Sequence, residues 1–303
     1  MAGLKELRTR IDSVKSTKKI TSAMKMVAAS KYRRAQLTLE KSELFQKLMI
    51  ENIKKVLLEL KNIEKEQKIS FILPKMLVPA KNPQVYALFV LASDRGLCGG
   101  YNSMIAKTAK KRIEELQKQG KTVKVFCYGK KALSGLKRFG ITDIEASNPA
   151  VIKKHLTYEE ALHFLRDVWD KKLHYKADVC EIVYSDFLTG LSRTYLSKQV
   201  IPFDISLTND DQTINKVGNA YYGYLPDKLS LLKELSSIYM RTMMFEVLIN
   251  SQASEHAARM NSMDNATRNA EDMISSLTFK YNSLRQSAIT TELVEIVAGA
   301  EAM

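Results

Sequence analysis

Apolar residues in the last quarter of the chain recur at alternating steps of four and three positions. A ladder stepped in this way from Leu231 to Ala298 visits twenty positions, and thirteen of them are apolar. This spacing puts the apolar side chains on one stripe of an α-helix, which is the pattern of a coiled-coil seam. Polar residues interrupt the ladder between positions 252 and 259. The pattern predicts a long paired helix whose packing is looser or wetter over 252–259.

The start of the chain carries a similar but less regular pattern. Apolar residues fall at Leu4, Leu7, Ile11 and Val14, and the spacing falters at Lys18. The pattern resumes further along at Met24, Val27, Ala28, Leu37, Leu44, Leu48, Ile53, Val56, Leu60 and Ile63. A change of register of this kind predicts stutters or a bend rather than one regular heptad array.

Glycine and proline are absent from residues 4–73 and from residues 227–298. Because these two residue types punctuate turns, the sequence divides into two helical ends and a middle that turns often. Two long half-apolar helices in one chain most simply pair with each other. The middle joins their far ends, so we expect an antiparallel coiled coil. The predicted parts are an N-terminal helix over 1–73, a central domain over 74–226 and a C-terminal helix over 227–303.

The middle of the chain alternates strand and helix patterns. Nearly continuous apolar runs bounded by turn residues are typical of buried parallel strands, and amphipathic stretches lie between these runs. In chain order the sequence predicts strands at 84–92, 122–128 and 177–184, helices at 103–120 and 157–173, and an edge strand at 193–201. This order predicts a Rossmann-like α/β domain with a parallel sheet.

Charge is distributed unevenly along a chain whose formal net charge is +14. Residues 1–40 hold ten basic and three acidic side chains, whereas residues 229–303 hold six basic and nine acidic ones. A basic helix is suited to nucleic acid, an anionic surface or acidic loops of a partner. Base stacking is weakly supported, because Tyr32 is the only aromatic residue in the basic segment.

Candidate catalytic chemistry is sparse in this sequence. The segment SDRGLCGGYN follows a predicted strand, but its glycines do not have the GxGxxG spacing of a dinucleotide site, and no GxxxxGK[ST] loop is present. The four histidines and three cysteines are scattered without metal-ligand spacing, so reduced structural thiols are expected. We therefore expect no catalytic residue, no metal and no cofactor, and a mechanical or scaffolding role.

Four segments resemble the gamma subunits of F-type ATP synthases from one end of the chain to the other. They are STKKITSAMKMVAASKYRRAQ at 16–36, SDRGLCGGYN at 93–102, SEHAARMNSMDNATRNA at 254–270 and RQSAITTELVEIVAGAEAM at 285–303. The resemblance implies a central rotor shaft, present in a single copy, made of an antiparallel coiled coil and a Rossmann-like foot. Its implied partners are the alpha3–beta3 ring, the epsilon subunit and the membrane c ring, and the nucleotide sites belong to alpha and beta.

The resemblance also implies roles for particular residues. Contacts with the alpha–beta ring are implied for Met24, Lys25, Arg259, Arg285, Gln286, Thr290 and Glu292. Contacts with the c ring and epsilon are implied for Tyr222 and Tyr224. The sequence departs from some relatives at Leu225, where an acidic residue can stand, and at Val294, where a polar one can stand. The apolar, slightly acidic tail is implied to turn inside the ring.

The expected location is the cytoplasmic side of a bacterial inner membrane, with membrane contact only through the complex. The first residues lack an apolar signal core and include acidic Glu6 and Asp12, which argues against a transit peptide. Two other classes of protein stay open on the sequence alone. One is a basic coiled-coil protein that binds nucleic acid or anionic lipid, and the other is a Rossmann-type enzyme with helical arms.

Overall fold

The computed structural model describes residues 2–67, 71–74, 76–78, 80–151, 156–187, 193–203, 225 and 227–301. In the sequence, an α/β region lies between two long helices. The helices are α1 (Ala2–Gln67), α2 (Tyr101–Lys118), α3 (Lys130–Arg138), α4 (Tyr158–His174) and α5 (Lys228–Glu301). The strands are β1 (Val85–Leu91), β2 (Thr122–Tyr128), β3 (Ala146–Asn148), β4 (Val179–Phe187) and β5 (Arg193–Ile201).

The five strands form one sheet in the order β3-β2-β1-β4-β5. The first four strands are parallel, and β5 joins β4 in the antiparallel direction. The predicted Rossmann-like arrangement with an edge strand is confirmed. The apolar run of β1 is central because it pairs with β2 on one side and with β4 on the other, and Leu88, Phe89 and Val90 are fully buried. Buried strands of a parallel sheet carry such continuous apolar runs.

Local sequence signals explain where two of the shorter helices begin. Thr157 caps α4 through its side chain, which accepts from the backbone N–H of Glu160, and Glu160 in turn accepts from the N–H of Thr157. This reciprocal pair is a capping box. Gly129 opens α3 with φ of 99°, and a Cβ there would lie 2.1 Å from the carbonyl oxygen of Ala92. The glycine of the Gly-Lys-Lys sequence is therefore required by backbone packing.

Contacts divide the chain into two compact units. The first unit comprises Met1–Ser30, Leu97–Gly99 and Ala257–Met303, and the second comprises Lys31–Gly96 and Gly100–His256. Both long helices contribute residues to both units. The division into parts at residues 73 and 226 stays a prediction.

In the first unit, α1 and α5 pair in antiparallel fashion through polar side chains. Lys18 contacts Glu271 at 2.7 Å, the hydroxyl of Thr267 donates to that of Thr21 at 2.8 Å, and further along Lys25 donates to Asp264. As residue numbers rise on α1, those of the partners on α5 fall. Small or apolar side chains such as Ala28 and Ala270 are buried beside these contacts.

In the second unit, the buried positions of α1 follow a regular heptad spacing. The positions with this spacing are Ala35, Leu39, Ser42, Gln46, Met49, Ile53, Val56 and Leu60, and Leu57 is also buried next to Val56. The change of register predicted from apolar residues is wrong over this stretch, because the polar Ser42 and Gln46 occupy the seam. Leu37, Leu44 and Leu48 are exposed instead. The seam continues without interruption to the sheet-covered end of the helix, where Lys228 of α5 binds Glu59 at 2.7 Å.

The expected loose packing over 252–259 is only partly observed. Gln252, Ser254 and His256 are buried, and the neighbouring Ala253 and Ala257 are fully buried. Small side chains allow close approach of the backbone at this point of α5. A cavity of about 50 Å³ borders Gln252 and His256 and is large enough for water.

Candidate partner-binding surfaces

The segment SDRGLCGGYN turns the chain from β1 into α2. The side chain of Asn102 accepts from the backbone N–H of Ser93 at 3.1 Å and from its hydroxyl at 2.9 Å. The Asp94 carboxylate accepts from the backbone N–H of Lys130 at 2.9 Å and from that of Ala150 at 3.2 Å. These polar side chains therefore satisfy backbone groups of neighbouring loops. Asp and Asn side chains can also bind a ligand, but here they have a structural role.

The carboxyl ends of β1 and β2 lie against α5. A cavity bordered by Leu91, Tyr128, Leu248, Ser251 and Glu255 encloses about 20 Å³. Pockets that hold nucleotide-sized ligands enclose about 300 Å³ or more, whereas this volume suits one water molecule. The space at the carboxyl ends of these two strands is thus filled by a helix of the same chain.

Met24 and Lys25 lie in the first unit on the partly exposed face of α1. The Lys25 ammonium donates to the Asp264 carboxylate at 2.5 Å, and Arg268 reaches the same carboxylate at 2.9 Å. The hydrogen bond from Lys25 lowers the pKa of Asp264, and Arg268 acts in the same direction. Lys25 is therefore oriented by the helix pair, while its side chain stays 45% exposed and available to a partner.

The sequence did not indicate that Asp264 and Arg268 belong with Lys25. The Asp–Arg spacing of four residues on a helix is a signal for an ion pair between them. No local pattern joins either residue to Lys25, because the contact spans 239 positions. Arg259, also in the first unit, is half-buried on α5.

The end of α5 carries the remaining ring-contact candidates. Every residue from 282 to 298 is exposed. Arg285, Gln286, Thr290 and Glu292 lie within about two turns of this helix, and the Thr290 hydroxyl donates to the Gln286 carbonyl oxygen at 2.9 Å. These four residues lie about twenty positions beyond Asp264 along α5, so they form a set apart from Lys25.

Large apolar side chains share this exposed end with the polar candidates. They are Leu284, Ile289, Leu293, Val294, Ile296 and Val297, and Ile296 is 67% exposed. Exposed apolar surface on this scale marks a site that a partner covers. The exposed end of α5, defined as residues 282–298, is therefore the strongest candidate partner surface.

Tyr222 and Tyr224 lie outside the described residues, and Leu225 beside them is exposed. His155 also lies outside them. Among the residues that are described, no group of three or more His, Cys, Asp or Glu side chains is arranged to hold a metal ion. The described helices also include none that is long and apolar enough to cross a membrane.

The three cysteines are buried free thiols. Burial raises the pKa of Cys127 to about 12 and that of Cys180 to about 12. Since the thiolate is the reactive form of cysteine, these two side chains serve the core of the sheet.

Fold and surfaces together define a class of protein: two long paired helices at the chain ends, an α/β domain between them in sequence, and an exposed helical end rich in apolar side chains. A family model described as ATP synthase matches residues 3–303. The ATP synthase gamma chains of Paramagnetospirillum magneticum and Rhodospirillum rubrum are 41% and 40% identical to it, each over 100% of both chains. The chain belongs to the ATP synthase gamma chain family, and the resemblance stated from the sequence is confirmed.

Solved structures agree with this assignment. A chain of the Tetrahymena thermophila mitochondrial ATP synthase central stalk and c ring matches with a TM-score of 0.53 and 26% identity. The match covers 82% of this chain and 99% of that chain. A chain from the Euglena gracilis mitochondrial ATP synthase matches with a TM-score of 0.63 over 100% of this chain and 95% of its own length. Its identity is 16%, so this second likeness bears on the fold alone.

Proposed function

We propose that this chain is the central rotor shaft of a proton-translocating F-type ATP synthase. The shaft couples proton flow through the membrane c ring to conformational change, and so to ATP synthesis or hydrolysis, at sites on the beta subunits. The observation that carries the proposal is the exposed apolar end of α5 in a chain that matches ATP synthase gamma chains over its whole length. Such a helix needs an apolar sleeve around it.

The proposed partners are the alpha3–beta3 ring, the epsilon subunit and the c-subunit ring, with one copy of this chain in each complex. The ring contacts are proposed for the lower set, Met24, Lys25 and Arg259, and for the upper set on the exposed end of α5. Tyr222 and Tyr224 are proposed to contact the c ring and epsilon. The helical parts 1–73 and 227–303 form the shaft in this proposal, and 74–226 forms the foot.

The proposed role is not catalytic, because Asp94 and Asn102 in the loop after β1 accept hydrogen bonds from the chain's own backbone. Nucleotide chemistry belongs to the partner subunits. The proposed location is the cytoplasmic side of a bacterial inner membrane, reached through the complex alone. A Rossmann-type enzyme would bind nucleotide by itself in calorimetry. A nucleic-acid or lipid binder would show affinity that falls steeply with salt.

Copurification tests the proposal directly. The tagged chain should be recovered with an alpha–beta ATPase, and membranes depleted of the chain should lose ATP-driven proton pumping. Recovery of the tagged chain free of any ATPase would contradict it.

The lower ring contact is tested by Lys25→Ala, with Lys19→Ala as a matched control on the exposed face of α1. Removing Lys25 leaves Asp264 paired with Arg268. We expect protons pumped per ATP to fall for Lys25→Ala and to stay unchanged for Lys19→Ala. Equal ratios for the two variants would exclude a role for Lys25 in ring contact.

A further inference from the structure

The carboxyl ends of β1 and β4 lie side by side in the second unit, and we call the space beyond them the crevice. The chain leaves β1 toward β2, while β4 lies on the opposite side of β1. The direction of the strand order changes at this point, and open α/β sheets bind their ligands at such a switch point. In this chain α5 crosses the crevice with three polar side chains, Asn250, Ser251 and Ser254, and all three are buried.

Two of these side chains bond to groups that line the crevice. The hydroxyl oxygens of Tyr101 and Ser251 lie 2.9 Å apart, and the Tyr101 O–H reaches the Ser251 carbonyl oxygen at 3.2 Å. The Ser254 hydroxyl donates to the carbonyl oxygen of Ser185 at 3.1 Å. Tyr101, Ser185 and Ser254 are each no more than 1% exposed. Water has little access to replace these bonds.

A third bond reaches the last residue of β4. The backbone N–H of Phe187 donates to the Asn250 side-chain oxygen at 3.4 Å. Residues 250, 251 and 254 lie within about one turn of α5. Their bonds join the helix to two separate elements of the sheet domain, the start of α2 and the end of β4. We call Tyr101, Ser185, Asn250, Ser251 and Ser254 the crevice joint.

We propose that the crevice joint fixes α5 in the sheet both along and around the helix axis, so that torque passes between the α/β domain and the shaft without slip. The proposal rests on the rotor function proposed above. Apolar contacts are non-directional and tolerate sliding and rotation. Hydrogen bonds are restricted in distance and angle, and an unmade buried one leaves a desolvated group without compensation. The joint residues are positioning residues.

The joint is tested by removing its hydroxyls in the assembled complex. The triple variant Tyr101→Phe, Ser251→Ala and Ser254→Ala keeps the apolar packing nearly intact. Tyr239→Phe is a matched control, because Tyr239 is a buried tyrosine in the same unit whose ring packs on Phe203 outside the joint. Hydrogen exchange of the amides at 185–187 and 250–254 should accelerate in the triple variant, by about fivefold for each lost bond, and stay unchanged in the control.

Proton pumping measured against ATP hydrolysis separates a torque role from mere local stability. We expect protons pumped per ATP to fall in the triple variant, while hydrolysis and the amount of assembled chain match those of the control. Ser251→Thr, which restores a hydroxyl beside the 20 Å³ cavity, should rescue the ratio relative to Ser251→Ala. If the triple variant fails to assemble, Tyr101→Phe alone is compared in the same way.

Two results would overturn the proposal. One is faster exchange with an unchanged pumping ratio, which would show that a loosened joint still carries torque. The other is unchanged exchange, which would show that the bonds do not hold the helix. Failure of the rotor function itself would be visible in the unaltered chain, because that chain would then neither copurify with an ATPase nor support pumping.

Discussion

The same two helices are held together in different ways in the two units. In the first unit the contacts between α1 and α5 include ion pairs and hydroxyls, such as Lys18 with Glu271 and Thr21 with Thr267, beside small buried side chains such as Ala28. In the second unit the seam joins the core of the sheet domain, and residues such as Ile53 and Met244 are fully buried. A helix pair covered by a sheet can bury large apolar side chains, whereas a bare pair keeps its outer faces in water.

The difference teaches that stability and partner contact are separated along the shaft helices. Apolar burial dominates the free energy of folding, so the second unit should supply most of it. The first unit can carry charged and exposed side chains with little effect on stability, because surface ion pairs contribute little to the free energy of folding. Residues proposed to contact the ring can therefore stand there without weakening the core.

The largest expected effect is a truncation in the second unit. Ile53→Ala removes a side chain that is 0% exposed, which should lower the free energy of unfolding by about 4 kcal/mol. Ile11→Ala is the matched change in the first unit, where the side chain is less completely enclosed, and about 2 kcal/mol is expected. Urea unfolding of both variants measures the difference. Equal losses would remove the contrast between the two helix pairs.

A helix break in the first unit should have a smaller and local effect. Ala266→Pro removes a backbone hydrogen bond of α5 and clashes with the preceding turn, at about 3 kcal/mol. Amide exchange should accelerate around residue 266 and in the paired part of α1, while the sheet amides keep their protection. Ala266→Ser is the control, since serine leaves the backbone bond in place. Loss of protection throughout the sheet would show that the units unfold as one.

The buried carboxyl of Glu246 in the second unit should destabilise the fold as pH rises. Burial raises the pKa of Glu246, Glu43 and Asp186 raise it further, and Lys198 opposes them. With a raised pKa in the folded state, ionised Glu246 weakens folding at neutral pH, and this penalty disappears as pH falls below the ordinary glutamate pKa. Glu246→Gln should therefore stabilise the chain at pH 7 and lose this gain near pH 4, as measured by urea unfolding at both values. An equal gain at both pH values would contradict the assignment.

The carboxyl of Asp264 in the first unit should have the opposite effect and stabilise the fold as pH rises. The pKa of Asp264 is lowered by Lys25, so its contribution to stability is present above the ordinary aspartate pKa and lost as pH falls through the lowered value. Asp264→Asn should weaken the helix pair at pH 7 and have less effect below about pH 3. Thermal unfolding across this range measures the change. A destabilisation independent of pH would point to packing rather than charge.

The smallest effect is expected at an exposed ion pair. Lys18 and Glu271 lie 2.7 Å apart, but their side chains are 39% and 53% exposed. Lys18→Ala should cost about 0.5 kcal/mol or less, and added salt should reduce even that. A larger loss in a salt titration of urea unfolding would mean that the first unit depends on charge for its stability.

Much of the fold could be predicted from two simple signals. The absence of Gly and Pro located both long helices, and their observed bounds, Ala2–Gln67 and Lys228–Glu301, differ from the predicted ones by a few residues. Apolar runs located β1, β2 and β4. The short elements α3 and β3 were missed. The nine residues of α3 are amphipathic but short and contain Gly135, and the three small or polar residues of β3 are too few to show an alternating pattern.

The seam and the site were less accessible from the sequence. Ser42 and Gln46 occupy buried heptad positions, so a search for apolar residues selects the wrong face of α1. The polar residues over 252–259 suggested loose packing, whereas Ser254 within this stretch and Ser251 just before it bond to the sheet domain. Such contacts depend on which distant segments the fold brings together. A local sequence pattern does not show which segments these are.

The exposed end of α5 has a consequence for how the protein is handled in the cell. An exposed helical end of about seventeen residues without packing contacts is marginally stable in water, so residues 282–298 would depend on the proposed ring to stay ordered. A chain that has not found its ring would present frayed, apolar ends to proteases, whereas an assembled chain would conceal them. Unassembled chains would thus be degraded in preference to assembled ones, and the number of copies of this chain would match the number of rings.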